Sequence, residues 1–256
     1  MELVFDISQL ENLRSLYEYE EKLRAESLKI LESDSSSSEM LFLISNAMGI
    51  LFGFSHDHDA KTDDELTLQY FGIRLFNTAA TSIKLALAGY AQQALAQTRD
   101  ILEVGFLLDY FRANPSEISV WKNCDKKIRA TKYGPLRIRI ALDERDGNNE
   151  QKRQKAYALL SEYASHVSYV GFTLTMKDGY GQIGPFVDEK KLKAWLQEIS
   201  LRLLPTAEIF GRHFPNGATE PVALYRAYCA QVLKWWKDHQ AKSKAAESGG
   251  LAPTGV

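Results

Sequence analysis

The feature that most constrains the fold of this chain is the spacing of its apolar residues, which recur every three or four positions over long segments. Such spacing collects apolar side chains on one face of an α-helix. The pattern runs over residues 8–32, 40–54, 62–88, 90–113 and 150–166. These segments predict a mainly α fold, a multi-helix bundle, and no internal repeat divides it.

Capping signals mark where the predicted helices begin. Ser8 with Glu11 and Thr62 with Glu65 have the spacing of capping boxes, and residues 34–38 form a serine cluster typical of a turn. Residues 114–117 read Asn-Pro-Ser-Glu, which predicts an N-cap followed by proline at the first helical position. These signals separate consecutive helices and need no long linker.

The second half of the chain contains similar signals. Gly134-Pro135 divides a basic stretch into two predicted short helices. Asp188 is predicted to cap a helix to residue 203 that Pro205 interrupts, and a last helix is predicted from Thr219 to about residue 242.

The helical period changes after residue 169. Val170, Phe172, Leu174 and Met176 alternate with small or polar residues, and a Lys-Asp-Gly-Tyr turn follows. The pattern predicts a small β-hairpin insertion near residues 169–187. We expect one helical domain over residues 1–244 and a mobile tail over residues 245–256, where apolar periodicity ends.

Several classes of protein are excluded or disfavoured by the sequence. Cys124 and Cys229 lie more than a hundred residues apart without a Cys-x-x-Cys spacing, so neither a zinc ribbon nor a disulfide scaffold is supported, and a reducing cytoplasm is favoured. The apolar run over residues 40–54 is shorter than the roughly 20 residues of a membrane span, so we expect a buried helix and no membrane contact. The chain has no glycine-rich nucleotide loop, serine-hydrolase elbow or kinase signature, and we predict no cofactor.

Charge is distributed unevenly along the chain. Residues 1–65 carry a formal charge of −10 and residues 122–155 carry +6, within a net charge of −2. The basic stretch either faces the acidic third, is solvated, or binds nucleic acid, with Trp121 and Tyr133 near enough to stack on bases. The candidate nucleic-acid-binding residues are Lys126, Lys127, Arg129, Lys132, Arg137 and Arg139.

The helix over residues 93–110 carries ions inside an apolar stripe. At 100° per residue, Arg99 and Glu103 share a face with Leu95, Leu102 and Phe106. A buried ion without a partner is costly, so we expect Arg99 and Glu103 to pair with each other or with another helix. They form either an ordinary i,i+4 pair or part of a polar catalytic pocket.

A second candidate lies where the helical pattern ends before the predicted hairpin. Glu162 precedes His166 by four residues, and on one helix it could orient the imidazole as an acid or base. The alternative is a histidine that interacts with the helix C-terminus.

A third candidate is the acidic loop around His56 and His58, which suggests an alternative metal-dependent enzyme. Its His-x-His spacing lacks the geometry of the helical zinc motifs, so a solvated loop is favoured and we assign no metal site.

The segments Thr98-Arg99-Asp100-Ile101-Leu102-Glu103 and Tyr157-Ala158-Leu159-Leu160-Ser161-Glu162, with His166, resemble poorly characterised all-helical bacterial proteins. Some of these are associated with abortive infection and with HEPN-like folds. HEPN ribonucleases have, on one helix, an arginine followed by four to six residues and then a histidine. Here Arg153 lies thirteen residues before His166, and Arg212 is adjacent to His213, so a site would have to combine different helices.

The resemblance implies a cytoplasmic phage-defence or stress protein that binds RNA, or cleaves it as a ribonuclease-like enzyme with Arg99, Glu103, Glu162 and His166 as catalytic residues. The alternative from a different class is a non-catalytic scaffold or interaction protein. Its polar residues would fasten the bundle, and homo-oligomers could form through apolar or tryptophan-bearing helices.

Overall fold

The computed structural model describes residues 9–215 and 219–248, and it confirms a mainly α helical bundle with a very small hairpin. The helices are α1 (Gln9–Glu32), α2 (Ser35–Phe52), α3 (Asp63–Leu87), α4 (Ala91–Ala113), α5 (Glu117–Asn123), α6 (Lys126–Lys132), α7 (Pro135–Asp146), α8 (Lys152–Leu160), α9 (Tyr169–Phe172), α10 (Glu189–Gly211) and α11 (Thr219–Ser248). Single π-helical turns follow α2 (Gly53–Asp57) and α8 (Ser161–Ser165). Thr173–Thr175 is a 3-10 turn, and β1 (Met176–Lys177) and β2 (Tyr180–Gly181) form the hairpin.

Helix α4 lies at the centre of the bundle, between α3 and α10, with α7 and α8 along its remaining side. Gly105 allows the close crossing with α10, because a methyl group there would overlap the hydroxyl of Thr206. The buried Trp195 indole donates a hydrogen bond to Ser82 Oγ at 3.0 Å, and that hydroxyl donates to the carbonyl of Ala94 at 2.8 Å. These contacts fasten α10, α3 and α4 together inside the core.

The start of α3 confirms the capping signal at Thr62, whose hydroxyl accepts from Glu65 N at 3.1 Å. The serine cluster after α1 differs from its prediction as a turn. Asp34 accepts from Ser37 N at 2.9 Å and caps α2, so the serines form the first turn of that helix. Ser8, the predicted cap of α1, lies outside the described residues.

Helix α5 begins two residues later than its proline signal predicted. The Asn114 side chain donates to the carbonyl of Tyr110 at 3.0 Å, so it closes the end of α4 instead of capping the next helix. The division at Gly134-Pro135 is confirmed, because α6 and α7 lie on either side of it.

The predicted interruption at Pro205 was wrong, because α10 continues through this residue to Gly211. A proline inside a helix removes one backbone hydrogen bond, but packing on a large apolar surface can retain the helix. The neighbouring residues Leu203, Leu204, Ala207 and Phe210 are all buried in the core.

The strand predicted from the alternation over residues 170–176 was wrong. Tyr169–Phe172 is one helical turn, capped by Ser168, whose hydroxyl accepts from Gly171 N at 2.9 Å. The hairpin is confined to Met176 and Lys177 paired with Gly181 and Tyr180. Period-two alternation over a short segment did not distinguish two helical turns from a strand.

The apolar segment of α2 is longer than its sequence pattern predicted. With the π-helical turn it spans Ser35–Asp57, 23 residues whose mean hydropathy reaches 1.3 over an 18-residue window, enough by length and composition to cross a membrane. A core helix passes the same test, and 39% of that window is buried in the protein.

Helix α11 includes residues 245–248, and the rest of the predicted mobile tail lies outside the described residues.

Candidate functional site

Arg99 and Glu103 form an ion pair on α4, one helical turn apart. A terminal guanidinium nitrogen lies 2.7 Å from Glu103 Oε1, and the side chains are 25% and 27% exposed. That carboxylate oxygen is buried without a hydrogen bond of good geometry, so the contact is mainly one between charges. The two ions are partly shielded from water, as the apolar stripe around them predicted.

The remaining contacts of Arg99 reach the segment from α8 into the second π-helical turn. Its Nε donates to Ser161 Oγ at 3.0 Å, and a terminal nitrogen donates to the hydroxyl of Tyr157. The guanidinium carbon also lies 4.7 Å from the centre of the Tyr157 ring. Arg99 therefore joins α4 to α8 through two residues that are four positions apart.

A second arginine lies against the same tyrosine. Arg139 of α7 is 4% exposed, and its guanidinium carbon lies 3.9 Å from the centre of the Tyr157 ring. One terminal nitrogen donates to Gln154 Oε1 at 2.9 Å, while Nε and the other terminal nitrogen are buried without a hydrogen-bond partner. Within the described residues no carboxylate lies within ion-pair distance of Arg139, so the ring face and an amide surround its charge.

Arg139 is therefore unlike the five cations with which the sequence grouped it. Burial removes it from any surface that RNA could reach, whereas Lys126, Lys127, Arg129, Lys132 and Arg137 are exposed. Residues two positions apart on a helix lie about 200° apart, so Arg137 faces water while Arg139 faces the core.

Glu162 and His166 are exposed, and no described contact joins the imidazole to Glu162 or to Arg99. The helix ends with the π-helical turn at Ser165, which explains the difference from the predicted pairing, because an i,i+4 alignment requires both residues to lie on one helix. His166 follows this turn with an extended backbone, and its N–H donates to the carbonyl of Ser161 at 2.8 Å. The structure thus brings Arg99 and Glu103 together and leaves Glu162 and His166 at the surface.

Tyr157, Ser161 and Gln154 were not singled out as site residues in the sequence. Tyr157 and Ser161 occur inside the motif that carries the family resemblance, and their i,i+4 spacing places them on one face of the predicted helix. Nothing local in the sequence indicates that this face meets Arg99 about sixty residues away.

The two histidines of the acidic loop point into different environments. His56 is exposed, its Nδ1–H donates to Asp57 Oδ1 at 2.7 Å, and its ring stacks on Phe52. His58 is buried against Phe214, with its Nε2 3.6 Å from Glu65 Oε2. Among the described residues no group of three or more histidine, cysteine or acidic side chains could hold a metal.

Acidic side chains of the protein neutralise only part of the positive charge of the basic stretch over residues 122–155. Arg145 contacts Asp109 and Asp146, and its hydrogen bond, with help from Arg153, lowers the pKa of Asp146 to about 2. Lys132 contacts Glu117 at 2.6 Å, and Arg129 lies over the Trp121 ring at 5.4 Å.

One ion pair among the described residues joins this stretch to the acidic third of the chain, between Lys122 and Asp63. The side chains of Lys126, Lys127 and Arg137 form no hydrogen bond or ion pair with the described residues.

Comparison with known proteins does not narrow the function. No family model, curated protein or solved structure matches this chain.

Proposed function

We propose that this chain binds RNA through the exposed cations of α6 and α7, as a cytoplasmic bacterial protein of the HEPN-like, abortive-infection kind. The observation that carries the proposal is that Lys126, Lys127 and Arg137 are exposed on consecutive short helices without an acidic partner among the described residues. Lysine and arginine in this state can neutralise phosphates and release counterions, which supplies most of the sequence-independent affinity for nucleic acid.

The nearby aromatic residues favour binding to the phosphate backbone over stacking on bases. Trp121 packs on Phe71, with ring centres 4.9 Å apart, and Tyr133 is buried with its hydroxyl on Glu117 at 2.5 Å. Phe71 and Arg129 already contact the half-buried Trp121 ring, so we expect weak dependence on RNA sequence and strong dependence on salt.

Cleavage of the bound RNA is a more specific proposal, and the contacts support it less well than they support RNA binding. His166 is exposed and could supply an acid or base, but Arg99 is already held by Glu103, Tyr157 and Ser161. A phosphate shared by Arg99 and His166 would therefore require these contacts to rearrange.

Binding can be tested with a fluorescein-labelled single-stranded RNA, by measuring anisotropy between about 50 and 200 mM salt. We expect substitution of Lys126, Lys127 and Arg137 by glutamine to reduce the slope of log affinity against log salt by about 2, since each phosphate contact on a single strand contributes about 0.7. The matched control replaces the exposed Lys190, Lys234 and Lys237 by glutamine and should retain the wild-type slope. Equal slopes in both variants, or no binding by wild type at 50 mM salt, would refute the proposal.

The same mixtures on a denaturing gel test cleavage. Shortened RNA with wild type and intact RNA with His166→Gln would assign the histidine to hydrolysis. Intact RNA in both would leave a binding protein that is not a nuclease.

The non-catalytic scaffold remains the second candidate, and two observations favour it. Arg99 contacts Glu103, Tyr157 and Ser161 and thereby fastens α4 to α8 and the π-helical turn after it, as a structural role requires. Helix α11 also exposes apolar side chains that could contact a partner, namely Leu224, Leu233 and Trp236.

A further inference from the structure

Helix α2 leaves a narrow strip of its surface uncovered along its whole second half. Phe42, Ser45, Gly49 and Phe52 are exposed, and the two phenylalanines are 58% and 47% exposed. The opposite face of the helix is buried in the core of the bundle. The exposed residues are spaced three, four and three apart, which is the seam by which one helix packs along another at a shallow angle.

An open groove lies on each side of this strip. The groove between α2 and α3 has a volume of about 590 Å³ and includes Met48, Phe76 and Ile83. The groove between α2 and α11 has a volume of about 250 Å³ and includes Leu224 and Gln231. Neither groove has a charged residue in its lining.

Along the strip a large side chain lies at each end and two small residues lie between them, so the order of sizes is the same from either end. Phe42 and Phe52 lie five residues either side of position 47, and Ser45 and Gly49 lie two residues either side of it. In an antiparallel pair of α2 helices crossing at that level, Phe42 faces Phe52 of the second copy and Ser45 faces its Gly49. The small residues let the two backbones approach, and a Cβ added to Gly49 would meet no atom within 4 Å in the single chain.

We propose that two copies of this chain associate through α2, antiparallel about a two-fold axis near residue 47. In a two-fold interface the same surface meets itself, so a charged residue near the axis would face an identical charge on the other copy. An uncharged strip with this symmetry avoids that repulsion and therefore suits self-association. The phenylalanines at the ends of the strip would fill the grooves of the opposite copy. The proposal does not depend on RNA binding, because the cations of that function lie on α6 and α7.

The same apolar strip could instead lie on a lipid surface, but the structure favours the second copy. The buried face of α2 packs on α10 and α3, so the helix cannot cross a bilayer in this fold. Asn46, beside the strip, donates to Gln231 of α11 at 2.9 Å and keeps the floor of one groove polar.

A charge-exchange experiment tests both the interface and its register by light scattering after gel filtration, at about 1 to 100 µM protein. Wild type should be a dimer. Ser45→Glu and Gly49→Lys should each weaken dimerisation by about a hundredfold or more, because each places two unpaired charges in the interface. A mixture of the two variants should recover a dimer, since the carboxylate introduced in one chain then faces the ammonium group introduced in the other.

Folding is controlled by circular dichroism, and Ser119→Glu on the exposed side of α5 serves as a matched substitution that should remain dimeric. A monomeric wild type at 100 µM would overturn the proposal, and its flotation with phosphatidylcholine vesicles would assign the strip to lipid. A dimer that persists in folded Ser45→Glu and Gly49→Lys would also overturn it. Variants that become monomeric but do not recombine would overturn the antiparallel register.

Discussion

At the scale of single residues, Tyr157 is the point on which the interior charges converge. Its ring lies against the guanidinium groups of both Arg99 and Arg139, and its hydroxyl accepts from Arg99. Two cations beside one carboxylate would repel each other in a poorly hydrated interior, and the electron-rich ring face offsets part of that cost.

A pair of substitutions at Tyr157 separates the ring from the hydroxyl. Tyr157→Phe loses a hydrogen bond to a charged donor and should lower the free energy of unfolding by about 1 to 2 kcal/mol. Tyr157→Leu also loses both ring contacts and should cost about 3 kcal/mol or more. Urea unfolding followed by circular dichroism gives both values.

Equal costs for the two variants would show that the ring faces contribute nothing to stability. The same variants also show whether the contacts of Arg99 are structural or belong to an RNA-binding site. Loss of stability with unchanged RNA affinity supports a structural role for the Arg99 contacts, whereas unchanged stability with weaker RNA binding places Tyr157 in a binding site.

At the scale of elements, the connection between α3 and α4 depends on one glycine. Gly89 has a φ of +91°, and a Cβ there would lie 2.7 Å from the backbone nitrogen and oxygen of Phe186. Gly147 after α7 also has a positive φ, +62°, but a Cβ there meets no atom within 4 Å. The two positions therefore differ in crowding while both require a left-handed backbone.

Substituting alanine at both positions measures that difference. Gly147→Ala should cost about 1 to 2 kcal/mol of unfolding free energy, which is the penalty for a left-handed alanine. Gly89→Ala should cost more than about 3 kcal/mol, because the clash with the Phe186 backbone adds to the same penalty. Thermal and urea unfolding of the two variants measure these losses of stability. Equal losses would contradict the explanation.

Elements that depend on local chemistry could be predicted from the sequence, and those decided by packing could not. The Thr62 cap and the break at Gly134-Pro135 are local, so α3 and the pair α6 and α7 were predicted correctly. Pro205 signals a break, but burial of α10 outweighs its lost hydrogen bond.

The candidate site divides in the same way. Arg99 and Glu103 lie one turn apart on one helix, so their pairing could be predicted from the sequence. The contacts with Tyr157 and Ser161 depend on how α8 packs on α4, and the sequence alone does not show this packing. The end of the helix at Ser165, which separates His166 from Glu162, also has no local sequence signal.

At the scale of the whole molecule, the two oppositely charged segments of the chain scarcely pair with each other among the described residues. The acidic third and the basic stretch are joined by one ion pair among the described residues, so most of their opposite charge is not neutralised by mutual contact. A net charge of −2 therefore conceals surfaces of both signs. At low ionic strength such surfaces act over distances of about 30 Å.

We therefore expect the protein to be retained by cation-exchange resin at pH 7 and about 10 mM salt, despite its negative net charge. The glutamine variant of Lys126, Lys127 and Arg137 loses three positive charges and should pass through the resin. The control at Lys190, Lys234 and Lys237 loses the same three charges, so both variants carry a formal charge of −5, yet the control should still be retained. Identical elution of the two variants would mean that net charge governs binding to the resin and that α6 and α7 form no distinct cationic surface. The basis for RNA binding at these helices would then be removed as well.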